Sequence, residues 1–328
     1  MKKLGVCLLA AMLLCTLAAC QTKPAEQPQE SPQQQRDTLL LGFSQLGSES
    51  GWRIGNTQSV HAAAERAGVQ LMYDNAEQKQ EKQIKALRSF IAYQVDVIAF
   101  SPIVEEGWEH VLTEAKNAGI PVLLIDRFIA TEEEGLYAGY IGADFTEEGR
   151  RAGRFLLEKT KDMETVKVVE LAGTEDSTPM RQRSEGFREV LAGHARIEII
   201  DSVSGDFLRS KGLECMASFL QQHDDIDVLY SHNDSMTFGA IDAIEEAGLR
   251  PGEDIIIISV DGEQEAIDLL KEGKINCVVE CTPLFGDQVM ELAMRLKNGE
   301  EINAHTYTRE TVFTEFDENL DQLAPRGY

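Results

Sequence analysis

Hydrophobic and polar positions follow two alternating patterns from residue 38 onward. Short runs that are apolar throughout, such as residues 95–100 and 121–125, are typical of strands buried on both faces of a sheet. Between such runs, apolar residues recur every three or four positions, as with Ile84, Leu87 and Phe90, which indicates helices with one buried face. This alternation predicts an α/β fold built on doubly wound parallel sheets.

The alternation breaks near residues 131–144 and then resumes, which predicts two similar lobes, although no exact repeat is visible. The elements left over at the end of the chain are interpreted as crossings back to the first lobe and then to the second. We therefore assign residues 38–139 and 282–309 to an N-terminal lobe and residues 140–281 and 310–328 to a C-terminal lobe, joined by a multi-strand hinge.

Residues 1–20 have the pattern of a secretory signal peptide. A positively charged start precedes an apolar run over residues 8–17, which is too short to span a membrane as a mature helix. The sequence Leu17-Ala18-Ala19-Cys20 that follows resembles a bacterial lipobox, so Cys20 is the expected site of lipidation with diacylglycerol. The alternative is an ordinary secretory cleavage site. We expect an extracytoplasmic protein, lipid-anchored to the cell membrane.

Composition restricts what the rest of the chain can bind. Residues 21–37 are rich in Gln, Pro and Glu and lack a periodic apolar face, so we expect a flexible tether. The chain of 328 residues carries a formal net charge of −25. That charge argues against nucleic acid as a partner and against binding to an anionic membrane surface. The two-chain lipid on Cys20 is therefore the expected anchor.

The sequence also argues against catalytic, disulfide and metal chemistry. It lacks the Gly-x-Ser-x-Gly, Walker and Gly-x-Gly-x-x-Gly motifs, so we expect a binding protein, not an enzyme, with no cofactor. Cys277 and Cys281 lie four positions apart on one expected strand, about 13 Å from each other, which excludes a disulfide between them. No histidine or carboxylate cluster accompanies them in the sequence. We expect packed thiols, no metal site and a monomer.

The stretch from residue 42 to residue 53 is the strongest local candidate for a binding site. It leaves an apolar strand, opens a helix at about residue 51 and presents Gln45, Glu49 and Trp52 close together. An aromatic face beside polar side chains is the chemistry with which proteins bind sugars. The alternative is a simple strand–helix turn with Trp52 packed into the core.

Polar residues follow several expected strands at the point where each strand ends. Ligands of open α/β sheets bind at this edge. A sugar requires both donors and acceptors: carboxylates accept, guanidinium groups donate and an amide does both. One Asp at a strand end is often only a helix cap, but five sites of this kind predict a common pocket. The five are Asp126-Arg127, Arg181 with Arg183, Asp206-Phe207, Asn233-Asp234 and Asp261-Gly262.

Several stretches match a known family, at residues 42–45, 47–53, 82–86, 204–207, 232–234 and 327–328. From about residue 38 to the end, the chain resembles the periplasmic solute-binding proteins of sugar ABC transporters, in the ribose/galactose-type branch, and within it the galactofuranose-binding proteins. The resemblance implies the type I periplasmic binding protein fold. It also implies a receptor that captures a monosaccharide, galactofuranose or a related sugar, by lobe closure and delivers it to an ABC permease and ATPase complex. The alternative is a sugar-sensing receptor that signals to a membrane kinase or chemoreceptor.

The resemblance also implies roles for individual residues. Trp52 and Phe207 take the positions of the family's ring-stacking aromatics, one from each lobe. Of the two arginines on the second lobe, Arg181 is favoured for the ligand and Arg183 for support. Cys281 stands where ribose-type proteins carry a Gln, so Glu280 or Gln45 would have to supply that contact. The implied ligand-binding set is Gln45, Glu49, Ser50, Trp52, Arg53, Asp126, Arg127, Arg181, Phe207, Asn233 and Asp261. We interpret Trp108 as a packing residue and His232 as a structural histidine.

Overall fold

A computed structural model of the protein describes residues 38–328. The expected signal peptide (1–20), the lipidation site at Cys20 and the tether (21–37) lie outside the described residues. The described part contains two six-stranded sheets, each covered by helices, and these form the two lobes. The two-lobed α/β prediction is confirmed.

The first lobe is built on a sheet in which every strand is parallel to its neighbours, in the order β11-β5-β4-β3-β1-β2. Its elements are β1 Leu40–Gln45, α1 Gly51–Ala67, β2 Gln70–Asn75, α2 Gln80–Ala92, β3 Val97–Phe100, α3 Glu109–Asn117, β4 Val122–Ile125, β5 Gly139–Gly142, α9 Gly286–Lys297 and β11 His305–Tyr307.

The second lobe has the strand order β12-β10-β9-β8-β6-β7, and only its edge strand β12 runs antiparallel among the strands described. Its elements are α4 Phe145–Lys159, β6 Val166–Ala172, α5 Thr178–Leu191, β7 Ile197–Ser204, α6 Arg209–Gln222, β8 Val228–Ser231, α7 Asp234–Glu246, β9 Ile256–Asp261, α8 Gln264–Lys271, β10 Cys277–Glu280 and β12 Val312–Thr314. A short 3-10 helix, Leu320–Gln322, follows.

Within residues 38–328 the chain crosses between the lobes three times: from β5 to α4, from β10 to α9 and from β11 to β12. The boundary expected after residue 139 therefore needs correction, because β5 pairs with β4 in the first sheet. The expectation missed this strand because four residues, two of them glycine, carry too little apolar pattern to indicate a strand.

Local sequence explains where the helices at the cleft begin. Ser50 caps α1 by accepting a hydrogen bond from the Arg53 backbone N–H (3.2 Å), and Asn233 caps α7 in the same way. The strands that precede these caps are buried, β8 throughout and β1 except at its first residue, since helices cover both faces of each sheet. The carboxyl ends of the strands are thus held rigidly.

The structure confirms the interpretation of Trp108 as a packing residue and of His232 as a structural histidine. Trp108 is 1% exposed and packs its ring against Phe100, so it belongs to the core. His232 is fully buried, with Nε2 3.0 Å from Glu170 and Nδ1 accepting from the Gly173 N–H, which makes it structural. Among the helices of residues 38–328, none combines the length and apolarity that a membrane crossing requires.

Candidate functional site

A small cleft lies between the lobes at the carboxyl ends of both sheets, with about 300 Å³ of space not filled by protein atoms, open solvent included. Most of the lining side chains are charged, amide or aromatic. They are Glu49, Ser50, Trp52, Arg53, Asp126, Arg127, Phe145, Pro179, Arg183, Phe207, Asn233, Asp261 and Cys281.

Arg53 organises the first-lobe wall of the cleft. Its guanidinium contacts Asp126 (NH1 to Oδ2, 2.7 Å) and Glu49 (Nε to Oε1, 3.1 Å), and all three side chains are about 95% buried. Gln45 lies behind this group, where its Oε1 accepts from Arg53 at 3.3 Å. Gln45 is fully buried and does not line the cleft, so it supports Arg53 from behind.

Asp126 and Arg127 follow β4 directly, as the sequence indicates. Arg127 is anchored at one end, where NH1 donates to the Ile103 carbonyl (2.9 Å), and is 2% exposed. Burial, reinforced by the neighbouring positive charge of Arg53, lowers the pKa of Arg127 to about 10. Arg127 therefore remains charged at neutral pH, with donor capacity directed toward the cleft.

Two buried polar atoms of this wall lack a hydrogen-bond partner in the part of the chain described: Glu49 Oε2, an acceptor, and Arg127 Nε, a donor. Leaving such an atom unsatisfied costs about 1–3 kcal/mol, and more when the group is charged. A ligand that both donates and accepts hydrogen bonds would remove this cost.

Arg183 organises the opposite wall. Its Nε donates to Glu148 Oε2 at 2.7 Å, and its NH2 lies 3.7 Å from Asp261 Oδ1. Burial lowers the pKa of Arg183, but the nearby carboxylates, Glu148 first, outweigh burial and raise it. Burial raises the pKa of Asp261, while Arg183 acts in the opposite direction. The wall thus holds a guanidinium between two carboxyl groups, one inside the lobe and one facing the cleft.

The aromatic surfaces of the cleft come from both lobes. Trp52 is fixed by two bonds to the second half of the chain: Nε1 donates to the Cys281 carbonyl (2.7 Å) and its backbone N–H donates to Glu263 (3.1 Å). The Phe207 ring lies across the cleft, 5.4 Å from the Arg127 guanidinium carbon. Gly173 leaves room for that ring, since a Cβ there would lie 1.9 Å from Phe207 Cζ.

Three of the eight non-glycine residues with positive φ in residues 38–328 line this site. Asp126 (φ +64°), Phe207 (φ +61°) and Asp261 (φ +125°) all have positive φ, which non-glycine residues rarely adopt. Such residues cost about 1–3 kcal/mol each and persist where surrounding structure fixes them, commonly at binding sites. All three residues lie at or after the end of a strand and line the cleft.

Of the two arginines on α5, Arg183 lines the cleft and the favoured Arg181 does not. Arg181 lies outside the cleft, 46% exposed at its side chain, and pairs with Glu105 of the first lobe (2.9 Å) and Glu185 (3.1 Å). Arg183 lines the cleft instead. The two are separated by about 200° around the helix, and Arg183 shares the buried face of Phe187, four residues later. The four-residue spacing between Arg183 and Phe187 was the feature of the sequence that could have identified Arg183.

Sequence reasoning missed other residues of the site. Phe145 and Pro179 line the cleft at the first turns of α4 and α5, where no strand-end pattern indicates them. Cys281 also lines it, and the expectation that no carboxylates accompany this cysteine is wrong. Glu148 and Glu310 each place a carboxylate oxygen within 4.8 Å of the other and of the Cys281 sulfur. These glutamates are distant in sequence, so no motif could reveal them. Cys277 and Cys281 are free thiols, as expected.

Residues 41–301 match the family described as periplasmic binding protein domain. The galactofuranose-binding protein YtfQ of Escherichia coli (strain K12) is 42% identical over 296 residues, which cover 88% of this chain and 93% of that protein.

Two solved structures are similar throughout. A Mycobacterium smegmatis protein in complex with β-D-fucofuranose superposes with a TM-score of 0.83 at 46% identity, covering 85% of this chain and 92% of that one. The periplasmic binding protein component of the arabinose ABC transporter of Shewanella sp. ANA-3, bound to α- and β-L-arabinofuranose, gives a TM-score of 0.82 at 41% identity, covering 86% and 93%.

Proposed function

The chain belongs to the periplasmic binding protein family, and from this premise we propose that it captures a furanose sugar, galactofuranose or a close relative, for delivery to an ABC permease. Its relatives are extracytoplasmic solute-binding proteins and not enzymes, and the protein is a sugar-binding protein of this class. The similar proteins named above bind five-membered sugar rings, which favours a furanose as the ligand of this chain too.

The observation that carries the proposal is the pair of buried atoms without a hydrogen bond, Glu49 Oε2 and Arg127 Nε, on two residues that line the cleft. A sugar hydroxyl donates and accepts at the same oxygen, so it matches a wall that offers a carboxylate acceptor and a guanidinium donor. On the opposite wall, Arg183 and Asp261 offer a second donor–acceptor pair.

Aromatic rings supply the apolar half of the recognition. The C–H faces of a sugar ring pack against Trp52 from the first lobe and Phe207 from the second. The proposed ligand-binding set is Glu49, Ser50, Trp52, Arg53, Asp126, Arg127, Arg183, Phe207, Asn233 and Asp261, with Gln45 supporting Arg53. Arg181 is not part of it.

We infer that ligand capture proceeds by closure of the lobes. Each lobe carries part of the site, so only the closed form makes the full set of contacts. A ligand then shifts the open–closed equilibrium by its extra affinity for the closed form. Contacts that bridge the lobes, such as Trp52 with Glu263 and Thr178 with Phe128, support the assignment of this structure to the closed form.

Calorimetric titration with sugars of fixed ring form tests the ligand. We expect methyl galactofuranoside to bind tightly and methyl galactopyranoside not to bind. Free galactose is mostly pyranose in water, so its affinity should be weakened by the fraction of the furanose form. Glucose and ribose serve as comparison sugars. Equal binding of both methyl glycosides, or no binding of any sugar tested, would refute the furanose assignment.

Membrane attachment is a separate part of the proposal. A diacylglycerol on Cys20 would place the receptor at the membrane surface beside its permease. In cells, the Cys20→Ala variant should leave the membrane fraction and lose incorporation of labelled fatty acid, while a Cys215→Ser variant keeps both. Retention of the label in Cys20→Ala would contradict lipidation at this residue.

A further inference from the structure

Three potential metal ligands converge where the chain crosses between the lobes. Glu148 lies on α4, Cys281 follows β10 and Glu310 lies between β11 and β12. One carboxylate oxygen of each glutamate and the Cys281 sulfur are all within 4.8 Å of one another. The three residues thus come from three separate segments, one at each crossing.

Glu148 has an oxygen that the protein leaves unpartnered. Its Oε2 accepts from Arg183 at 2.7 Å. Its Oε1 is buried without a hydrogen bond in the described part of the chain, and the residue is only 1% exposed. Because a buried carboxylate oxygen costs free energy when it lacks a partner, this atom is available to a hydrogen-bond donor or to a metal ion. The sugar site does not explain it, since Glu148 does not line the cleft.

The other two ligands are held in place by bonds that leave donor atoms available. Glu310 Oε1 accepts from the Thr308 hydroxyl (2.8 Å) and from the Thr282 N–H (3.3 Å). The backbone of Cys281 is fixed by the Trp52 indole N–H, at 2.7 Å. One thiol and two carboxyl groups thus face one another with donor atoms available for a shared ligand.

We propose that Glu148, Cys281 and Glu310 bind one thiophilic divalent transition-metal ion, such as Zn²⁺, at the crossings between the lobes. One sulfur and two carboxylate oxygens suit zinc, which accepts both ligand types and leaves a fourth position for water. Calcium and magnesium bind through oxygen ligands, so the cysteine sulfur favours zinc over them. Around zinc the ligand atoms would lie about 3.5 Å apart, so atoms that are now within 4.8 Å of one another would have to approach by at most about 1.3 Å.

Cobalt(II) is a suitable probe because a cobalt–thiolate bond absorbs in the near ultraviolet. The test uses the full-length chain with Cys7, Cys15 and Cys20 replaced by serine, so that only the three described cysteines remain. We expect one Co²⁺ per chain, a near-ultraviolet thiolate band and displacement of the cobalt by one equivalent of Zn²⁺.

The variants assign the ligands. Cys281→Ser should abolish the band, and Glu310→Gln should weaken Zn²⁺ binding by at least about tenfold. Glu310→Gln keeps an oxygen for Thr308 and Thr282, so its fold is preserved, and a thermal melt checks this. Cys215→Ser and Glu147→Gln are the matched controls and should bind like the parent. The proposal is overturned if no stoichiometric site is found, or if Cys281→Ser keeps the band.

Discussion

The interior of the cleft and its outer rim both connect the lobes, but the charged groups of the two regions differ in burial and in how fully they are paired. At the rim, Arg181 pairs with Glu105 across the lobes, its side chain is 46% exposed, and its charge is matched on both sides. In the interior, Arg183 and Arg127 are at least 97% buried. There, Arg127 and Glu49 each keep one atom without a hydrogen-bond partner in the described chain.

This difference separates two roles. The rim contacts hold the lobes together, and the interior groups are available to recognise a ligand. An exposed ion pair at the rim is worth at most about 1 kcal/mol, because water screens it. The interior carries desolvated charges and backbone strain at Asp126, Phe207 and Asp261, which cost free energy that a ligand can recover.

The largest effect should come from removing Arg183. Arg183→Ala leaves Glu148 buried at 1% exposure with no cation beside it. We expect the free energy of unfolding to fall by about 3–5 kcal/mol, as when one partner of a buried ion pair is removed. Urea denaturation measures this loss.

A double-mutant cycle sharpens the assignment. Arg183→Met with Glu148→Gln removes both charges and should recover part of the lost stability, because no buried charge is left uncompensated. If Arg183→Ala alone costs less than about 1 kcal/mol, the pair is not the buried anchor described above.

The next largest effect is expected on binding. Arg127→Ala removes a charged donor that faces the cleft, and we expect the sugar affinity to fall by about 100-fold, as for the loss of a charge-assisted hydrogen bond. Calorimetry measures the affinity, and circular dichroism of the melt checks the fold.

Arg127→Lys is the conservative comparison for that experiment. It keeps the charge but loses the fork of Nε and NH2 donors, so its affinity should stay well below that of the parent. An affinity for Arg127→Ala within threefold of the parent would remove this residue from the ligand-binding set.

A smaller effect is expected from neutralising Asp261. Asp261→Asn keeps the size of the side chain and tolerates positive φ, but it weakens acceptance from a sugar hydroxyl. We expect about a tenfold loss of affinity. Asp206→Asn is the matched control, because Asp206 also follows a strand with positive φ but does not line the cleft. Equal losses in both variants would contradict a specific role for Asp261.

The smallest effect is expected at the rim. Arg181→Ala should change sugar affinity by at most about fivefold and the free energy of unfolding by at most about 1 kcal/mol, since the pair is exposed. In high salt the parent protein should lose a similarly small amount of sugar affinity and of unfolding free energy, because salt screens the ion pair. A loss comparable with that of Arg127→Ala would erase the distinction between rim and interior.

Much of the fold was predictable because it depends on local periodicity. Wholly apolar runs such as residues 95–100 and 121–125 predict strands covered on both faces, and the structure places buried strands there. Strand β5 was missed because its four residues carry too weak a pattern. At the cleft, the residues at strand ends were predictable as a group, since parallel strands end at one edge of the sheet.

Only the tertiary structure decided which groups far apart in the sequence contact one another. The sequence determined the alternation of strands and helices, the polar strand ends and the family resemblance, because each depends on spacing within a few residues. It did not determine that Arg183 faces the cleft while Arg181 bridges the rim, nor that Glu148 and Glu310 meet at Cys281. Those outcomes depend on how two independently folded sheets are joined, and burial and charge pairing follow from that packing.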